Sequence, residues 1–154
     1  MNSKKLKDKL IESLGKIYYM EAFSHLTEFL QGELYVLHFL FVNKDMAINP
    51  SILSERLHMS RPRITAALSN LRRKGYVVTK ISAHDRRKVL VMLTPEGHSY
   101  IVEKQRNVET SFEMFVNGIG EKNALELIRI IDLTASIMDS NDKENELTRI
   151  GELK

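Results

Sequence analysis

The spacing of apolar residues along the chain predicts a mostly helical protein. Leu6, Leu10 and Leu14 recur every four residues among lysines and glutamates, so a first amphipathic helix is expected from Lys4 to about His25. The next helix, from Gln31 to Asn43, is apolar on nearly every side. A helix with so little polar surface belongs in the core of a protein.

A helix-turn-helix pattern follows these two helices. Asn49 can cap a third, short helix, and Pro50 suits its first position. A fourth helix is predicted from its Ser60 cap to Gly75, which stops the helix after a basic last turn. The apolar stripe of this fourth helix consists of Ile64, Leu68 and Leu71. Its exposed face combines guanidinium groups with small hydrogen-bonding side chains: Arg61, Arg63, Thr65, Ser69 and Asn70.

After Gly75 the pattern changes to that of β-strands. β-branched and aliphatic residues predict strands at Tyr76–Ile81 and Val89–Leu93, joined by the polar and basic loop Ser82–Lys88. A brief extended stretch, Met46–Ile48, is expected to add a small strand beside them. Helix, strand, basic loop and strand in this order predict a winged helix-turn-helix. In such a domain the helix enters the major groove of DNA and the loop reaches a neighbouring minor groove.

Two long helices are predicted after the second strand. Thr94 can cap one that extends to about Asn117, and Glu121 begins another that extends to about Asp139. Together with the first helix, they carry more apolar surface than a small winged domain can cover. We therefore expect them to interlock with the same helices of a second copy in a twofold dimer.

The predicted fold is thus mainly α (α+β). It has six helices, a small strand after the second helix, and a two-stranded wing between the fourth and fifth helices. Residues 31–97 are expected to form a DNA-binding lobe. Residues 1–30 and 98–154 are expected to form a helical dimerisation region.

Two motifs near the wing have counterparts in a known family. Asp85-Arg86-Arg87, a strand, and then Leu93-Thr94-Pro95-Glu96-Gly97 follow the order D-x-R…L-T-x-x-G. This order resembles the signature of the MarR family of bacterial transcription regulators. The resemblance extends from about Gln31 to Gly97. It implies a homodimer and a DNA-binding repressor that a small-molecule effector releases. A twofold dimer suits a palindromic operator in double-stranded DNA, because its symmetry presents two recognition helices (the fourth helix of each chain) about one helical turn apart.

Charge is distributed unevenly along the 154 residues, whose net charge is +3. Between Arg56 and Lys88 there are ten basic residues and one acidic residue, a local charge of +9, whereas the remainder carries −6. Such a basic segment fits a polyanion, so double-stranded DNA is the predicted partner. A sequence-tolerant DNA-binding protein is an alternative, which the arginines of the fourth helix disfavour because they can read bases.

The residues expected to contact DNA lie in the fourth helix and in the wing. Arg61 and Arg63 can pair bidentately with guanine, and Thr65 can touch a thymine methyl group. The resemblance implies that Arg87 enters the minor groove while Asp85 holds the loop, and a narrow minor groove does attract arginine. The other candidates for base or phosphate contacts are Ser60, Ser69, Asn70, Arg72, Arg73, Arg86 and Lys88.

The resemblance also implies a ligand cleft between the helical ends and the DNA-binding lobe. Aromatic residues are the expected lining, although aromatic residues at helical spacing also fit a protein core. The candidates are Tyr18, Tyr19, Phe23, Phe39 and Tyr100.

Other classes of function find less support in the sequence. The chain has no cysteine and no G-x-S-x-G, Walker or H-E-x-x-H motif, so neither an enzyme nor a cofactor is predicted. A metal-responsive regulator of the same fold is a further alternative, because Glu21, His25 and Glu28 share one helical face and His38 and His98 could approach each other. No metal is predicted, because the zinc-sensing members of the family that this sequence resembles place paired histidines in the helix after the wing, whereas here that helix has only His98. No apolar run approaches the roughly 20 residues that cross a bilayer, so a cytoplasmic protein without membrane contact is expected.

Overall fold

The computed structural model describes residues 2–151, and the side chains of residues 2–138. Within this range the chain forms seven helices and one two-stranded antiparallel sheet. The helices are α1 (Ser3–Ile17), α2 (Glu21–Phe29), α3 (Gly32–Val42), α4 (Pro50–Arg56), α5 (Arg61–Arg73), α6 (Pro95–Ile119) and α7 (Glu121–Gly151). The strands β1 (Val77–Ile81) and β2 (Val89–Leu93) lie between α5 and α6 in the chain. The mainly helical winged architecture predicted from the sequence is confirmed.

The chain divides into two compact units, residues 1–112 and residues 113–154. The first unit holds α1 to α5, the sheet and most of α6, whereas the second holds the end of α6 and α7. Across residues 2–151, no helix combines the length and the apolarity that crossing a membrane requires.

The core of the first unit is built around α3. Val36 and Leu37 are fully buried, and α3 packs against α2, α5 and β2. From the helix-turn-helix, Leu53 and Ile64 join this core, and the first residue of β1, Val77, closes it. The apolar stripe predicted for the fourth helix therefore faces inward, which leaves the opposite side of α5 exposed.

The turn between α4 and α5 is fixed by a short network of hydrogen bonds. The amide of Met59 donates to the carbonyl of Ser54 (3.1 Å), and the Ser54 hydroxyl donates to the carbonyl of Met59 (2.6 Å). Between them, His58 has a φ of 49°, which is the left-handed conformation that ends many helices. These contacts set the angle at which α5 leaves α4.

The first predicted helix is wrong in one respect, because it is two helices. The prediction from Lys4 to His25 is interrupted at Tyr18–Met20, where the amides of Tyr19 and Met20 bond three residues back and Met20 is extended. Packing explains the break. No residue of α1 is buried in the chain as described, whereas Ala22 and Phe29 of α2 are buried in the first unit.

Two smaller predictions also differ from the structure. Met46–Ile48 is not a strand, because it makes a single ladder bond, from the amide of Val91 to the carbonyl of Ile48 (2.8 Å). The last helix does not end near Asp139 but continues to Gly151.

The imidazole of His38 on α3 predicts how stability depends on pH. Its Nδ1 is buried without a hydrogen-bond partner among the described residues, and the ring lies edge-on to Phe29 with 5.1 Å between centroids. Burial lowers the pKa of His38 below its ordinary value of 6.5. The unfolded chain therefore binds the proton more readily, and the free energy of unfolding should fall as pH drops below about 6.5. Urea titrations of His38→Leu should show a flatter pH dependence between pH 7.5 and 5.5.

A matched control uses the exposed histidine of the wing, His84. His84→Gln should keep the pH dependence of the unmodified protein. An equally steep profile in His38→Leu would mean that other groups cause the acid sensitivity.

Candidate nucleic-acid interface

One side of α5 is exposed along the length of the helix. Four residues at spacings of four, three and four are all exposed and lie opposite the buried stripe: Pro62, Ala66, Ser69 and Arg73. Ala66 was missed by the sequence analysis, although its spacing from Pro62 could have revealed it. Its methyl group is one that can contact a thymine methyl in a major groove.

The start of α5 presents two exposed arginines, Arg61 and Arg63. Ser60 caps the helix, with its hydroxyl accepting a hydrogen bond from the Arg63 amide (3.4 Å). The hydroxyl of Thr65 donates to the carbonyl of Arg61 (3.0 Å), so its methyl group is the part left for a base. Helix N-terminal residues are those that reach base edges when such a helix lies in the major groove.

The far end of α5 is fixed to the base of the wing. The amide of Tyr76 donates to the carbonyl of Leu71 (2.9 Å), and Gly75 takes a φ of 79° to close this turn. The Thr94 hydroxyl donates to the carbonyl of Gly75 (2.6 Å) and accepts from the amide of Gly97 (3.0 Å). Thr94 thus caps α6 and holds the end of α5 at the same time.

The wing is a regular hairpin with a constrained tip. Val77 pairs with Leu93 and Ile81 with Val89. The loop closes through a bond from the Ser82 amide to the Lys88 carbonyl (2.9 Å).

Asp85 folds the tip by accepting a hydrogen bond from the backbone amide of Arg87 (2.9 Å), and its own carbonyl accepts from the Lys88 amide (2.9 Å). Because Asp85 bonds the backbone of Arg87, the exposed guanidinium of that residue stays available. Three exposed cations stand at the tip: Arg86, Arg87 and Lys88.

The side chains of Asn70 and Arg73, which the sequence offers as separate DNA contacts, are hydrogen-bonded to each other. The guanidinium of Arg73 donates to the side-chain oxygen of Asn70 (2.9 Å). Beside them, Glu33 in the first turn of α3 pairs with Lys74 (2.6 Å). Arg72 is exposed.

A cavity of about 380 Å³ lies within the first unit beside this ion pair. Tyr76 and Tyr100 form one wall, stacked with 4.4 Å between ring centroids, and Lys104 lies 5.7 Å above the Tyr100 ring. Glu33 and Lys74 contribute the charged part of the lining. The sequence could not reveal this cavity, because its walls come from distant parts of the chain.

Of the five predicted ligand residues, Tyr100 is the one that lines this cavity. Tyr18 and Tyr19 are exposed at the end of α1 and contact each other edge-on. The ring of Phe23 packs on Phe112 (5.6 Å), and Phe39 packs on the core. The structure therefore does not gather the five residues around this cavity.

The residues considered for a metal have other contacts. The ring of His25 bonds the Ser111 hydroxyl (2.9 Å), and Glu28 pairs with Lys104 (3.2 Å). His98 packs against Phe41. Over the residues that the structure describes, no three histidine, cysteine or carboxylate side chains are grouped as metal ligands would be.

Comparison with known proteins agrees with the geometry of the lobe. A sequence model of the MarR family matches residues 30–88. The HTH-type transcriptional repressor YetL of Bacillus subtilis is 34% identical over 67 residues, which are 44% of this chain and 40% of YetL. The chain thus matches about two fifths of the length of that relative.

Solved structures share the fold over nearly the whole chain. The YusO protein of Bacillus subtilis has a TM-score of 0.70 at 18% identity, covering 88% of this chain and 99% of its own. MepR of Staphylococcus aureus, a transcription regulator of the multidrug efflux pump MepA, has a TM-score of 0.64 at 15% identity. The match covers 90% of this chain and 99% of the MepR chain. PefR of Streptococcus agalactiae, a heme sensor whose structure was solved in complex with heme, has a TM-score of 0.58 at 19% identity. The match covers 87% of this chain and 92% of the PefR chain.

Fold and site together define a winged helix-turn-helix protein of the type found in transcription regulators. More narrowly, the segment that carries α5 and most of the wing matches the model of the MarR family, and this match agrees with the resemblance seen in the sequence.

Proposed function

We propose that the protein is a homodimeric repressor that binds a palindromic operator in double-stranded DNA and is released by a small effector. The observation that carries the proposal is the placement of exposed arginines at two points of one lobe. Arg61 and Arg63 stand exposed at the start of α5, and Arg87 stands exposed at the tip of the wing. These are the two parts of a winged helix that enter neighbouring grooves of a duplex.

The experiment that tests DNA binding starts from a random pool of duplexes. Sequences retained by the protein are recovered, and the affinity for the enriched duplex is compared with that for a scrambled duplex at physiological salt. A specific regulator should prefer the enriched duplex by roughly 10³-fold or more. Equal affinity for both duplexes would support the sequence-tolerant alternative, and failure to bind either duplex at low salt would refute the proposal.

Arg87→Ala should weaken binding to the enriched duplex by roughly 1–3 kcal/mol while the fold is retained. The loop should keep its shape, because Asp85 is bonded to the backbone amide of Arg87 and not to its side chain. Fluorescence anisotropy titrations with labelled duplex measure the loss.

The matched control is Arg106→Ala, which removes one exposed positive charge from α6, outside the proposed DNA-binding lobe. It should change affinity much less than Arg87→Ala. Equal losses in the two variants would mean that Arg87 contributes only net charge, and that the wing makes no particular contact.

The proposed function divides the chain into a DNA-binding lobe and a dimerisation region. Residues 31–97 form the DNA-binding lobe, and the helices in residues 1–30 and 98–154 form the dimerisation region. Two exposed apolar surfaces support this assignment: Leu6, Leu10 and Leu14 on α1, and Leu125, Ile128 and Ile131 on α7. A twofold dimer would present its recognition helices to two half-sites about one turn of DNA apart.

The effector would occupy the cavity beside Tyr76 and Tyr100. Its stacked aromatic wall and its charged lining suit a small aromatic ligand with a polar group. PefR is solved with heme and MepR with ethidium, two planar aromatic compounds. A ligand that binds better to the form with misplaced recognition helices would lower operator affinity by linkage.

A thermal-shift screen of aromatic acids and cations tests the effector cavity. A ligand found there should stabilise the unmodified protein and weaken its DNA binding, and Tyr100→Ala should lose both effects. A ligand that acts equally on Tyr100→Ala binds elsewhere and removes this cavity from the mechanism.

A further inference from the structure

We propose that an apolar patch at the start of α5 reads the 5-methyl group of thymine in the operator. The patch consists of Pro62, Thr65 and Ala66, which are all exposed. This inference rests on the proposed function, because it names a base that the bound DNA must contain. It also goes further, because a surface that reads only the methyl group accepts 5-methylcytosine in place of thymine.

The three residues of the patch are neighbours on the surface of α5. Thr65 and Ala66 follow Pro62 by three and four residues, the spacings that bring side chains together on one face of a helix. The buried residues of the same turns, Ile64 and Ala67, face the core. The patch therefore lies on the side of α5 that is turned away from the protein.

The patch has little capacity to hydrogen-bond a base. The side chains of Pro62 and Ala66 carry no polar atom, and a proline also lacks the backbone N–H group. The hydroxyl of Thr65 donates its proton to the carbonyl of Arg61 (3.0 Å). What the patch presents to a partner is thus a proline ring and two methyl groups.

An apolar patch contributes nothing to the neutralisation of phosphates, although it lies within the basic segment from Arg56 to Lys88. The two residues that flank Pro62 in sequence, Arg61 and Arg63, are exposed and suit phosphates or guanine. In the major groove, the apolar group that base edges expose is the 5-methyl group of thymine. The geometry therefore pairs the patch with this group.

Reading of the methyl group and a passive role of the small side chains predict different results. If Pro62 and Ala66 only let the helix approach the DNA closely, thymine and uracil should bind equally well, because these bases differ only in the methyl group. If the patch contacts the methyl group, uracil loses one buried apolar contact. The affinity should then fall about fourfold for each half-site.

The first experiment changes the DNA and leaves the protein unmodified. Each thymine of the selected duplex is replaced in turn by uracil, and fluorescence anisotropy titrations measure the affinity of each duplex. At least one position in each half-site should lose about fourfold, whereas uracil in the flanking sequence should change the affinity by less than about twofold.

At the sensitive position, a cytosine paired with guanine should bind at least as weakly as uracil does. Methylation of this cytosine at the same ring carbon should recover most of the loss, because it restores the methyl group. A selected duplex without any sensitive thymine, or a cytosine whose methylation brings no gain, would overturn the proposal.

The second experiment assigns the contact to the patch. The double variant Thr65→Ser with Ala66→Gly removes both methyl groups but keeps a hydroxyl to bond the Arg61 carbonyl. In this variant the thymine and uracil duplexes should differ by less than about twofold. Thermal unfolding shows whether the variant folds. Thr65→Ser with Ala66→Ser, which introduces no glycine, serves for the same comparison if the first variant is unfolded.

Ser69→Gly is the matched control, because it places a glycine on the exposed side of the same helix and removes no methyl group. It should keep the full difference between thymine and uracil whatever its overall affinity. A double variant that also keeps the full difference would show that the patch is not the reader. The proposed function is decided separately, since it is refuted only when the unmodified protein binds no duplex at all.

Discussion

Replacing Gly97 by alanine is expected to destabilise the protein by about 3 kcal/mol, the upper end of the usual cost of overpacking. A Cβ atom at this position would overlap the carbonyl oxygen of Tyr76 and would lie 2.9 Å from its carbonyl carbon. Both are backbone atoms, so neither can rotate away as a flexible side chain would. The first turn of α6 would have to separate from the end of α5.

The substitution should also weaken neighbouring interactions, because several hydrogen bonds converge where Gly97 contacts the carbonyl of Tyr76. The carbonyl of Tyr76 accepts from the Thr94 amide (3.1 Å), and the Thr94 hydroxyl bonds both Gly75 and Gly97. A shift of α6 would strain all of them. Urea unfolding followed by circular dichroism measures the loss, and the melting temperature should fall by roughly 6–12 °C.

Gly118→Ala is the matched control, because Gly118 lies in the same helix and, apart from that helix's own backbone, a Cβ there meets no atom of the described residues within 4 Å. Alanine is the better helix former, so this change should be neutral or stabilise by about 0.5–1 kcal/mol. Equal stability of Gly97→Ala and the unmodified protein would show that the α5 end and the α6 start are not in contact as described.

Gly97 also shows what the sequence could reveal and what it could not. The order L-T-x-x-G indicated a family, and Thr94 was expected to cap the next helix. The physical need for glycine, however, comes from the carbonyl of Tyr76, 21 positions earlier in the chain, and such an approach leaves no local pattern. The recognition helix and both strands were predictable, because capping and periodicity are properties of neighbouring residues.

The errors of prediction have the same origin. Tyr18–Met20 contains neither glycine nor proline, so nothing local marked the break between α1 and α2. The break arises because α2 packs on α3 whereas α1 buries nothing in the described chain. Likewise, Glu33 and Lys74 are 41 residues apart, and their pairing follows from the packing of α3 against α5.

Leu10→Asn should weaken the proposed dimer about 100-fold or more in dissociation constant. Leu10 is 57% exposed in the single chain and lies in the apolar row of α1 with Leu6 and Leu14, which are both 55% exposed. Burying a leucine contributes about 1.5–3 kcal/mol, and a twofold interface contains the substitution twice, which gives roughly 3–6 kcal/mol per dimer. Sedimentation equilibrium should show a mass of twice 17.8 kDa for the unmodified protein and a shift toward the single-chain mass for the variant.

Asp8→Asn introduces the same side chain on the opposite side of α1 and should leave the mass unchanged. The dimer prediction also bears on DNA binding, because a palindromic operator gains affinity only when two recognition helices are held together. Leu10→Asn should therefore lose its preference for a full operator over a single half-site, although its lobe is intact. If the unmodified protein sediments as a single chain at micromolar concentration, the apolar row of α1 has another partner, and the operator should then contain one half-site only.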